Sequence, residues 1–329
     1  MRPEAARSPA VSSVRGAVVP VQMGCCPEPP YCLLCARRDH APTPELVEAL
    51  VSHTRSKRGE EVPLHGRFFG GAPPTPDLVR GLRGLPFSVR VRPDLLSREE
   101  AARLAELGCV AVELDVLTLD DVALRVARRP YRASRVLEMV ADLPGMGLEV
   151  GVVLAPGMPR TSHDGSVADA RRLAPQVKTA RLDPVLVLQR SGLQQLHMAD
   201  LYEPLTVPQA VSMCRDMLEV FEAHGVEVVR IGQNPGADEL GRCVAGPDHS
   251  SLRELIEAQR AREALVPLLA RLPRGAHVVV RCAPEDEART RGPLHDNVRT
   301  LRADGGFTEL TIVTDATLQR GMWQVEEAT

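Results

Sequence analysis

The sequence has no hydrophobic run long enough to cross a membrane and few side chains that could stack on nucleic-acid bases. No stretch approaches the roughly 18 apolar residues that a membrane helix requires, and the opening residues contain no apolar leader segment. Aromatic residues make up 3% of the chain, and the formal net charge is −3. We therefore expect a cytoplasmic protein that binds neither a membrane nor DNA.

The 329 residues suffice for one large α/β domain of roughly 200–250 residues plus an appendage. Short β-branched runs alternate with helical patterns, and this alternation is typical of parallel βα units. One helix is predicted over 98–107, with Ser97 and Glu100 as a capping box and Gly108 as its stop. The predicted strands are 17–22, 64–69, 87–92, 110–116, 148–155, 180–188 and 226–231.

Several of these strands alternate between apolar and charged residues. Arg90 and Arg92 alternate with valines, Glu113 and Asp115 alternate with apolar neighbours, and Arg181 precedes Leu182. A period of two places each charged set on one face of the sheet. The pattern predicts a curved sheet with one apolar face beneath helices and one polar face around a lumen, although pairing of single charges at a strand end is an equal alternative.

After about residue 240 the alternation changes to that of a small α+β appendage. Helices are predicted over 252–271 and near 294–302, strands over 277–282 and 307–313, and a loosely held tail from 316 to 329. If this part handles RNA, we expect Arg289, Arg291, Arg299 and Arg302 to share an exposed face, because phosphate contacts need accessible cations. An ordinary solvated helix is the alternative.

Four of the eight cysteines fall in one short stretch, MGCCPEPPYCLLCA, as Cys25, Cys26, Cys32 and Cys35. A disulfide framework is unexpected in a cytoplasmic protein. A zinc ribbon needs a second C-x₂-C pair, which the sequence lacks, and a redox pair would use Cys32 and Cys35 alone. Three thiolates ahead of the first helix instead suit a [4Fe–4S] cluster with one open iron. Simple zinc binding by the four thiolates remains an alternative.

These cysteines, together with further motifs in the same order, resemble the radical S-adenosylmethionine (SAM) part of the Elongator catalytic-subunit family, particularly its short bacterial relatives without an acetyltransferase domain. The resemblance covers roughly residues 16–260 and is weaker in RGPLHDNVRTLRADGGFTELTIVTD. The segments that carry it are VVPVQMGCCPEPPYCLLCARR, FFGGAPP, VRVRPDLLS, VELDVLTLDDVAL, VGVVLAPGMP, LYEPLTVPQAV, VRIGQNPG and VAGPDHSSLRELIEA.

The resemblance implies a partial (β/α)₆ barrel over 16–260, with a flexible segment 1–15 before it and a small α+β appendage over 261–329. It also implies a [4Fe–4S] cluster held by Cys26, Cys32 and Cys35, with Cys25 as the alternative first ligand. The cofactors would be this cluster and SAM. The partners would be an external electron donor and, as the substrate, a tRNA wobble uridine.

The resemblance implies site residues on three strands. Gly70 and Gly71 stand where backbone approaches the methionine end of SAM, and Gly157 stands in the matching loop after the fifth strand. Glu113 and Asp115 lie on the strand whose end faces the ribose and adenine of SAM, with pairing to Arg90 or Arg92 as the alternative. The implied activity is reductive cleavage of SAM to a 5′-deoxyadenosyl radical.

The chain departs from the family pattern at several positions. Five residues separate Cys26 from Cys32 where the family usually has three, and Ala72 replaces the small hydroxyl residue after the paired glycines. The family's Gly-Val-Gln-Ser after the fourth strand has become 115–118, Asp-Val-Leu-Thr, and its Arg-Gly-His has become 129–131, Arg-Pro-Tyr. These changes favour a second hypothesis, a relative that keeps the fold as a binding or regulatory protein without catalysis.

Overall fold

The computed structural model describes residues 16–24, 32–34, 42–233 and 242–328. The chain forms two compact units, one ending at Asp248 and the other beginning at His249. The boundary predicted between residues 260 and 261 falls inside the helix Leu252–Leu269. The segment 1–15, predicted to be flexible, lies outside the described residues. Within the described ranges, no helix is long and apolar enough to cross a membrane.

The first unit is built on a parallel seven-stranded sheet, which confirms the predicted α/β class and barrel-type architecture. The strand order β1-β2-β3-β4-β5-β6-β8 follows the chain, as expected for successive βα units. The strands are β1 (Ala17–Gln22), β2 (Leu64–Phe69), β3 (Phe87–Val91), β4 (Cys109–Leu117), β5 (Glu149–Leu154), β6 (Thr179–Leu182) and β8 (Glu227–Ile231). Two short strands, β7 (Val187–Leu188) and β9 (Cys243–Ala245), pair separately.

Most helices of this unit begin at a Ser, Thr or Asp whose side chain accepts a hydrogen bond from the first turn. Ser97 Oγ accepts from the amide of Glu100 at 3.1 Å, as its position predicted. That helix ends before Gly108, whose φ of 94° is incompatible with a right-handed α-helix. The helices are α1 (Pro44–Arg58), α2 (Pro76–Arg80), α3 (Arg98–Glu106), α4 (Asp121–Val126), α5 (Ala133–Asp142), α6 (His163–Leu173), α7 (Gly192–Met198) and α8 (Val207–Ala223).

The strand predicted over 180–188 is wrong in its second half. β6 ends at Leu182, and the chain resumes extended pairing only in β7, against β9. Pro184 explains the break because proline has no amide hydrogen to donate to the ladder. The interruption leaves Asp183 just beyond the end of β6.

The two faces of the seven-stranded sheet differ as the alternation predicted. Phe68, Phe87, Leu114 and Leu182 on one face are fully buried, and the rings of Phe68 and Phe87 meet edge to face at 5.6 Å. The other face, called the polar face below, carries charged side chains: Arg67 on β2, Arg90 on β3, Glu113 and Asp115 on β4, Arg181 on β6.

The second unit is a small α+β structure, as predicted. Its strands are β10 (His277–Cys282), β11 (Glu309–Thr314) and β12 (Trp323–Glu327), with β10 parallel to β11 and antiparallel to β12. Its helices are α9 (Leu252–Leu269), α10 (Glu287–Arg291) and α11 (Asp296–Gly305). Val278, Val280 and Leu310 belong to its apolar core.

The prediction of a loosely held tail from 316 to 329 is wrong, because β12 is the third strand of the second unit's sheet. Trp323 packs against the core, and its Nε1 donates to Thr290 Oγ1 at 2.9 Å. The amide of Gly321 donates to the buried carboxylate of Asp286 at 2.6 Å. Trp323 and Val325 alternate with polar residues, as a half-buried strand requires. The alternation covers only two apolar residues, which is too few to predict a strand from the sequence.

The four arginines expected to share an exposed face do not do so. Arg289 is largely buried, pairs with Glu257 at 3.2 Å and Asp286 at 2.7 Å, and stacks on Trp323. Arg299, in contrast, is 65% exposed. Arg289 therefore holds this unit together instead of presenting a charge to a polyanion.

Candidate functional site

The segment that enters the cysteine stretch lies against the glycine pair after β2. The amide of Met23 donates to the carbonyl of Phe69 at 2.7 Å, and the amides of Gly71 and Ala72 donate to the carbonyl of Gly24 at 3.0 and 3.1 Å. The carbonyl of Gly71 in turn accepts from the amide of Arg92 at 2.9 Å. Backbone hydrogen bonds thus join the ends of β1, β2 and β3 at the carboxyl edge of the sheet, where βα loops form ligand sites.

The close approach of the backbone after β1 to the backbone after β2 requires glycine at position 70. A Cβ atom at Gly70 would overlap the backbone carbonyl of Met23 and lie 2.8 Å from the Met23 side chain. Only glycine lets the two strand ends meet so closely. The glycine pair therefore fixes the start of the cysteine stretch, whatever else it contacts.

We expect Gly70→Ala to lower the free energy of unfolding by about 1–3 kcal/mol, because the added methyl must displace backbone and not a flexible side chain. The matched control is Gly145→Ala, where a Cβ meets nothing within 4 Å. Urea unfolding of both variants measures the difference. Equal stabilities would contradict the inferred close approach.

The described part of the cysteine stretch, residues 32–34, also lies at the carboxyl edge. The amide of Leu33 donates to the carbonyl of Ala127 at 3.1 Å, and the amide of Leu193 donates to the carbonyl of Leu33 at 3.0 Å. Leu33 packs with Leu117 and Ala155, which stand at the ends of β4 and β5. Residues 32–34 are therefore held between the end of α4 and the start of α7.

Cys32 is 3% exposed, and the amide of Leu34 donates to its Sγ at 3.5 Å. Hydrogen bonds to sulfur are one of the factors that set the reduction potential of a protein-bound iron–sulfur cluster. Cys25, Cys26 and Cys35 lie outside the described residues. Over the described ranges alone, no three His, Cys, Asp or Glu side chains are grouped to hold a metal ion.

Gly157 lies in the loop after β5 with φ +85°, a conformation that favours glycine. A Cβ there would lie 2.8 Å from the Leu205 side chain. Its carbonyl accepts from Tyr202 Oη at 2.8 Å. Gly157 therefore lies at the carboxyl edge of the sheet, like the cysteine stretch. The residues described in contact with it, Tyr202 and Leu205, come from the segment that follows α7.

Glu113, in the middle of β4, binds two arginines from strands on either side. Arg67 Nη2 donates to Oε2 at 2.8 Å, and Arg181 Nε donates to Oε1 at 2.8 Å. Both carboxylate oxygens are thus occupied. Burial alone would raise the pKa of Glu113, but the guanidinium groups of Arg67 and Arg181 lower it below the usual value.

Asp115 binds a second pair of arginines. Arg90 Nη2 donates to Oδ1 at 2.6 Å, and Arg129 Nη2 donates to Oδ2 at 2.8 Å. Burial would raise the pKa of Asp115, but these two guanidinium groups lower it. Pairing with Arg90 is the alternative that the sequence left open, whereas Arg92 pairs with Asp94 instead.

Arg90 also reaches Asp183, just beyond β6, with Nη1 at 3.1 Å from Oδ2. In a flat sheet three strand spacings, about 14 Å, would separate β3 from β6. The contact therefore requires the sheet to curve around its polar face. Charged residues from β2, β3, β4 and β6 line the inside of that curve.

Local contacts fix the end of β4, where the sequence departs from the family pattern. Leu117 has a φ of +65°, which is strained for a branched residue. Tyr131 Oη donates to the carbonyls of Asp115 and Val116 at 3.1 and 3.2 Å. The buried carboxylate of Asp169 accepts from Thr118 Oγ1 at 2.6 Å and from the Leu119 amide at 2.9 Å.

Sequence reasoning missed two of the arginines that hold these carboxylates. Arg67 could have been found, because it alternates with Leu64, Gly66 and Phe68 along β2. Arg129 follows α4 in a loop and carries no periodic signal. Its role is visible only in the fold.

Comparison with known proteins gives three kinds of similarity. The family profile described as the Radical_SAM C-terminal domain matches residues 177–262. A tRNA uridine(34) acetyltransferase of Dehalococcoides mccartyi (strain CBDB1) is 29% identical over 178 residues, 53% of this chain and 39% of that protein. A tRNA-2-methylthio-N(6)-dimethylallyladenosine synthase of Roseiflexus sp. (strain RS-1) is 24% identical over 262 residues, 73% of this chain and 51% of that protein.

The chain therefore spans about two fifths to one half of the length of these curated relatives. Among solved structures, the archaeal Methanocaldococcus infernus Elp3 with an N-terminal deletion superposes with a TM-score of 0.62 at 18% identity. That match covers 77% of this chain and 64% of the archaeal chain. The structural likeness establishes a shared fold.

Proposed function

We propose that this chain, which belongs to the radical SAM superfamily and resembles its Elongator catalytic-subunit family, is an enzyme that binds a [4Fe–4S] cluster and cleaves SAM reductively. The observation that carries the proposal is the position of the described residues of the cysteine stretch. Gly24 near its start and Leu33 in its second half are both hydrogen-bonded at the carboxyl edge of the sheet. That edge is where parallel βα folds bind ligands.

The residues present are suited to these cofactors. Cys32 is buried and accepts a backbone hydrogen bond at Sγ, and we propose that it holds the cluster with Cys35 and with Cys26 or Cys25. Bound there, the cluster would pass one electron from an external donor to SAM and so generate the 5′-deoxyadenosyl radical. The glycine backbone at Gly70 and Gly71 would lie beside the methionine end of SAM, and Gly157 would contribute from the matching loop after β5.

As substrate we propose a nucleoside of tRNA. Two curated relatives are named for tRNA modification, although the chain spans only part of each. The curved polar face would surround the reacting group and exclude water from it. The largely buried Arg289 gives no support to an RNA-binding role for the second unit.

The test is anaerobic purification and reconstitution of the full chain with iron and sulfide, followed by dithionite and SAM. We expect about four irons per chain and slow formation of 5′-deoxyadenosine, measured by mass spectrometry. Zinc in place of iron would support the zinc-binding alternative, and the absence of both metals would overturn any metal role for the cysteines.

A second candidate, a relative that keeps the cluster but not the catalysis, is favoured by one observation. Both oxygens of Glu113 and both oxygens of Asp115 are bound by arginines, so a hydroxyl of the SAM ribose would have to share its acceptor oxygen with a guanidinium. Four bound irons without 5′-deoxyadenosine would support this candidate over the first.

A further inference from the structure

Arg230, near the end of β8, is a charged residue of the polar face that the proposed function does not use. It is in register with Arg181 on the neighbouring strand β6, and residues in register on parallel strands share a face. Its Nε donates to the carbonyl of Gly232 at 2.9 Å. Within the part of the chain that the structure describes, no carboxylate forms an ion pair with Arg230.

The carboxylates near Arg230 are committed to other arginines. Glu113 binds Arg67 and Arg181, Asp115 binds Arg90 and Arg129, and Asp183 binds Arg90. With Arg230, five arginines face three carboxylates. Burial and the charges of Arg181, Arg67 and Arg90 lower the pKa of Arg230, although Asp183 opposes this shift. These five arginines thus outnumber these three carboxylates by two.

Three of these arginines keep hydrogen-bond donors to spare. A guanidinium has five N–H groups, and Arg67, Arg181 and Arg230 each use a single nitrogen in the described contacts. None of their nitrogens is among the fully buried polar atoms that lack a partner in the described chain. The spare N–H groups are therefore open to a ligand.

The position of Arg230 separates it from the proposed cofactor site. Arg230 lies within β8, in register with Arg181 on the polar face. Residues 32–34 of the cysteine stretch lie instead at the carboxyl edge, where Leu33 packs against the ends of β4 and β5. A group bound at Arg230 would therefore belong to the substrate and not to the proposed cluster.

We propose that Arg230, with Arg181 in register beside it and Arg67 bound to the same carboxylate as Arg181, forms a subsite for an oxyanion of the substrate, a phosphate or a carboxylate. The planar guanidinium fork suits either group, because both offer paired oxygens. The substrate class is then an anionic molecule anchored by this group while its reacting part lies toward the cysteines. This inference extends the proposed function and rests on it for the identity of the site.

The test is titration of the full chain as purified with inorganic phosphate and, separately, with acetate at low ionic strength, following ligand NMR line widths. Arg230→Gln removes the charge and keeps most of the side chain. We expect it to weaken anion binding about tenfold or more through loss of charge-assisted hydrogen bonds. Arg98→Gln, at a side chain 72% exposed on α3, is the matched control and should leave binding within about twofold.

Preferential binding of phosphate supports a nucleotide-like substrate, and preferential binding of acetate supports a carboxylic acid. The subsite is overturned if neither anion binds, or if Arg230→Gln binds as tightly as the wild type. Urea unfolding provides the second measurement, because Arg230→Gln should unfold like the wild type. A loss of stability as large as that of a broken buried ion pair would mean that Arg230 serves the fold, and would also overturn the subsite.

These titrations do not depend on SAM cleavage. A chain that produces 5′-deoxyadenosine but binds no anion through Arg230 loses only the subsite. A chain that takes up no iron but binds an anion through Arg230 loses the radical SAM assignment and keeps the subsite.

Discussion

Asp115→Asn is expected to lower the free energy of unfolding by about 3–5 kcal/mol, because it removes the charge of a buried carboxylate that binds two largely buried guanidinium groups. Asp115 is 3% exposed, and the side chain of Arg129 is 2% exposed. The matched control is Asp142→Asn, at a carboxylate that is 50% exposed and 3.4 Å from Arg98. That change should cost less than about 1 kcal/mol.

Urea unfolding followed by far-UV circular dichroism measures both variants. The single tryptophan, Trp323, belongs to the second unit, so its fluorescence does not follow the unit that contains Asp115. If Asp115→Asn costs no more than Asp142→Asn, the buried arginines have another source of compensation. The ion pairs of the polar face would then be dispensable for stability.

The same substitution should change how stability depends on pH. The folded-state pKa of Asp115 is lowered, so its contribution is fully present above the unfolded value of 3.8 and is lost as the pH falls through the lower folded value. Glu113 behaves likewise below its ordinary value of 4.5. Stability measured from neutral pH downward should therefore fall less steeply in acid for Asp115→Asn than for the wild type.

Cys32→Ala is expected to abolish iron incorporation. The backbone bonds of Leu33 to Ala127 and Leu193 hold this segment in one place, and Cys32 has no adjacent cysteine in the sequence that could replace it. Iron content after anaerobic reconstitution measures the effect. Cys35→Ala should behave in the same way.

Cys214→Ala is the matched control because Cys214 is also a buried cysteine, on α8 and 0% exposed. It should retain full iron even if it loses some stability. Cys25 and Cys26 are adjacent, so each single alanine variant should retain part of the iron and the double variant should lose it. Full iron in Cys32→Ala would remove Cys32 from the ligand set.

The strands and their two faces could be predicted because a half-polar strand has a strict period of two. Arg90 and Glu113 were assigned to the polar face on that basis, and both are found there. The start of α3 followed from Ser97, since a hydroxyl acceptor near the first amides is a local requirement. Features that depend on near neighbours in the chain were therefore accessible from the sequence.

The pairing of charges was not accessible, because the partners are far apart in the chain. Arg181 reaches Glu113 from 68 residues away, and Arg90 reaches Asp183 from 93 residues away. Period two gives the face of each residue but not the curvature that brings β3 and β6 together. The break at Pro184 and the strand β12 are local features, but the sequence did not predict either of them. Each depends on only two or three residues, which is too short a signal to stand out from the surrounding sequence.

The carboxylate of Glu113 has a consequence for how the sheet opens locally. Hydrogen-bond ladders join each strand only to its immediate neighbours, but Glu113 on β4 joins β2 and β6, which share no ladder. Detaching β6 from the sheet would therefore remove Arg181 from the carboxylate that also binds Arg67 of β2. Local unfolding in such a sheet involves several strands together, so the wall of the lumen should exchange its amide hydrogens as one cooperative unit and not strand by strand.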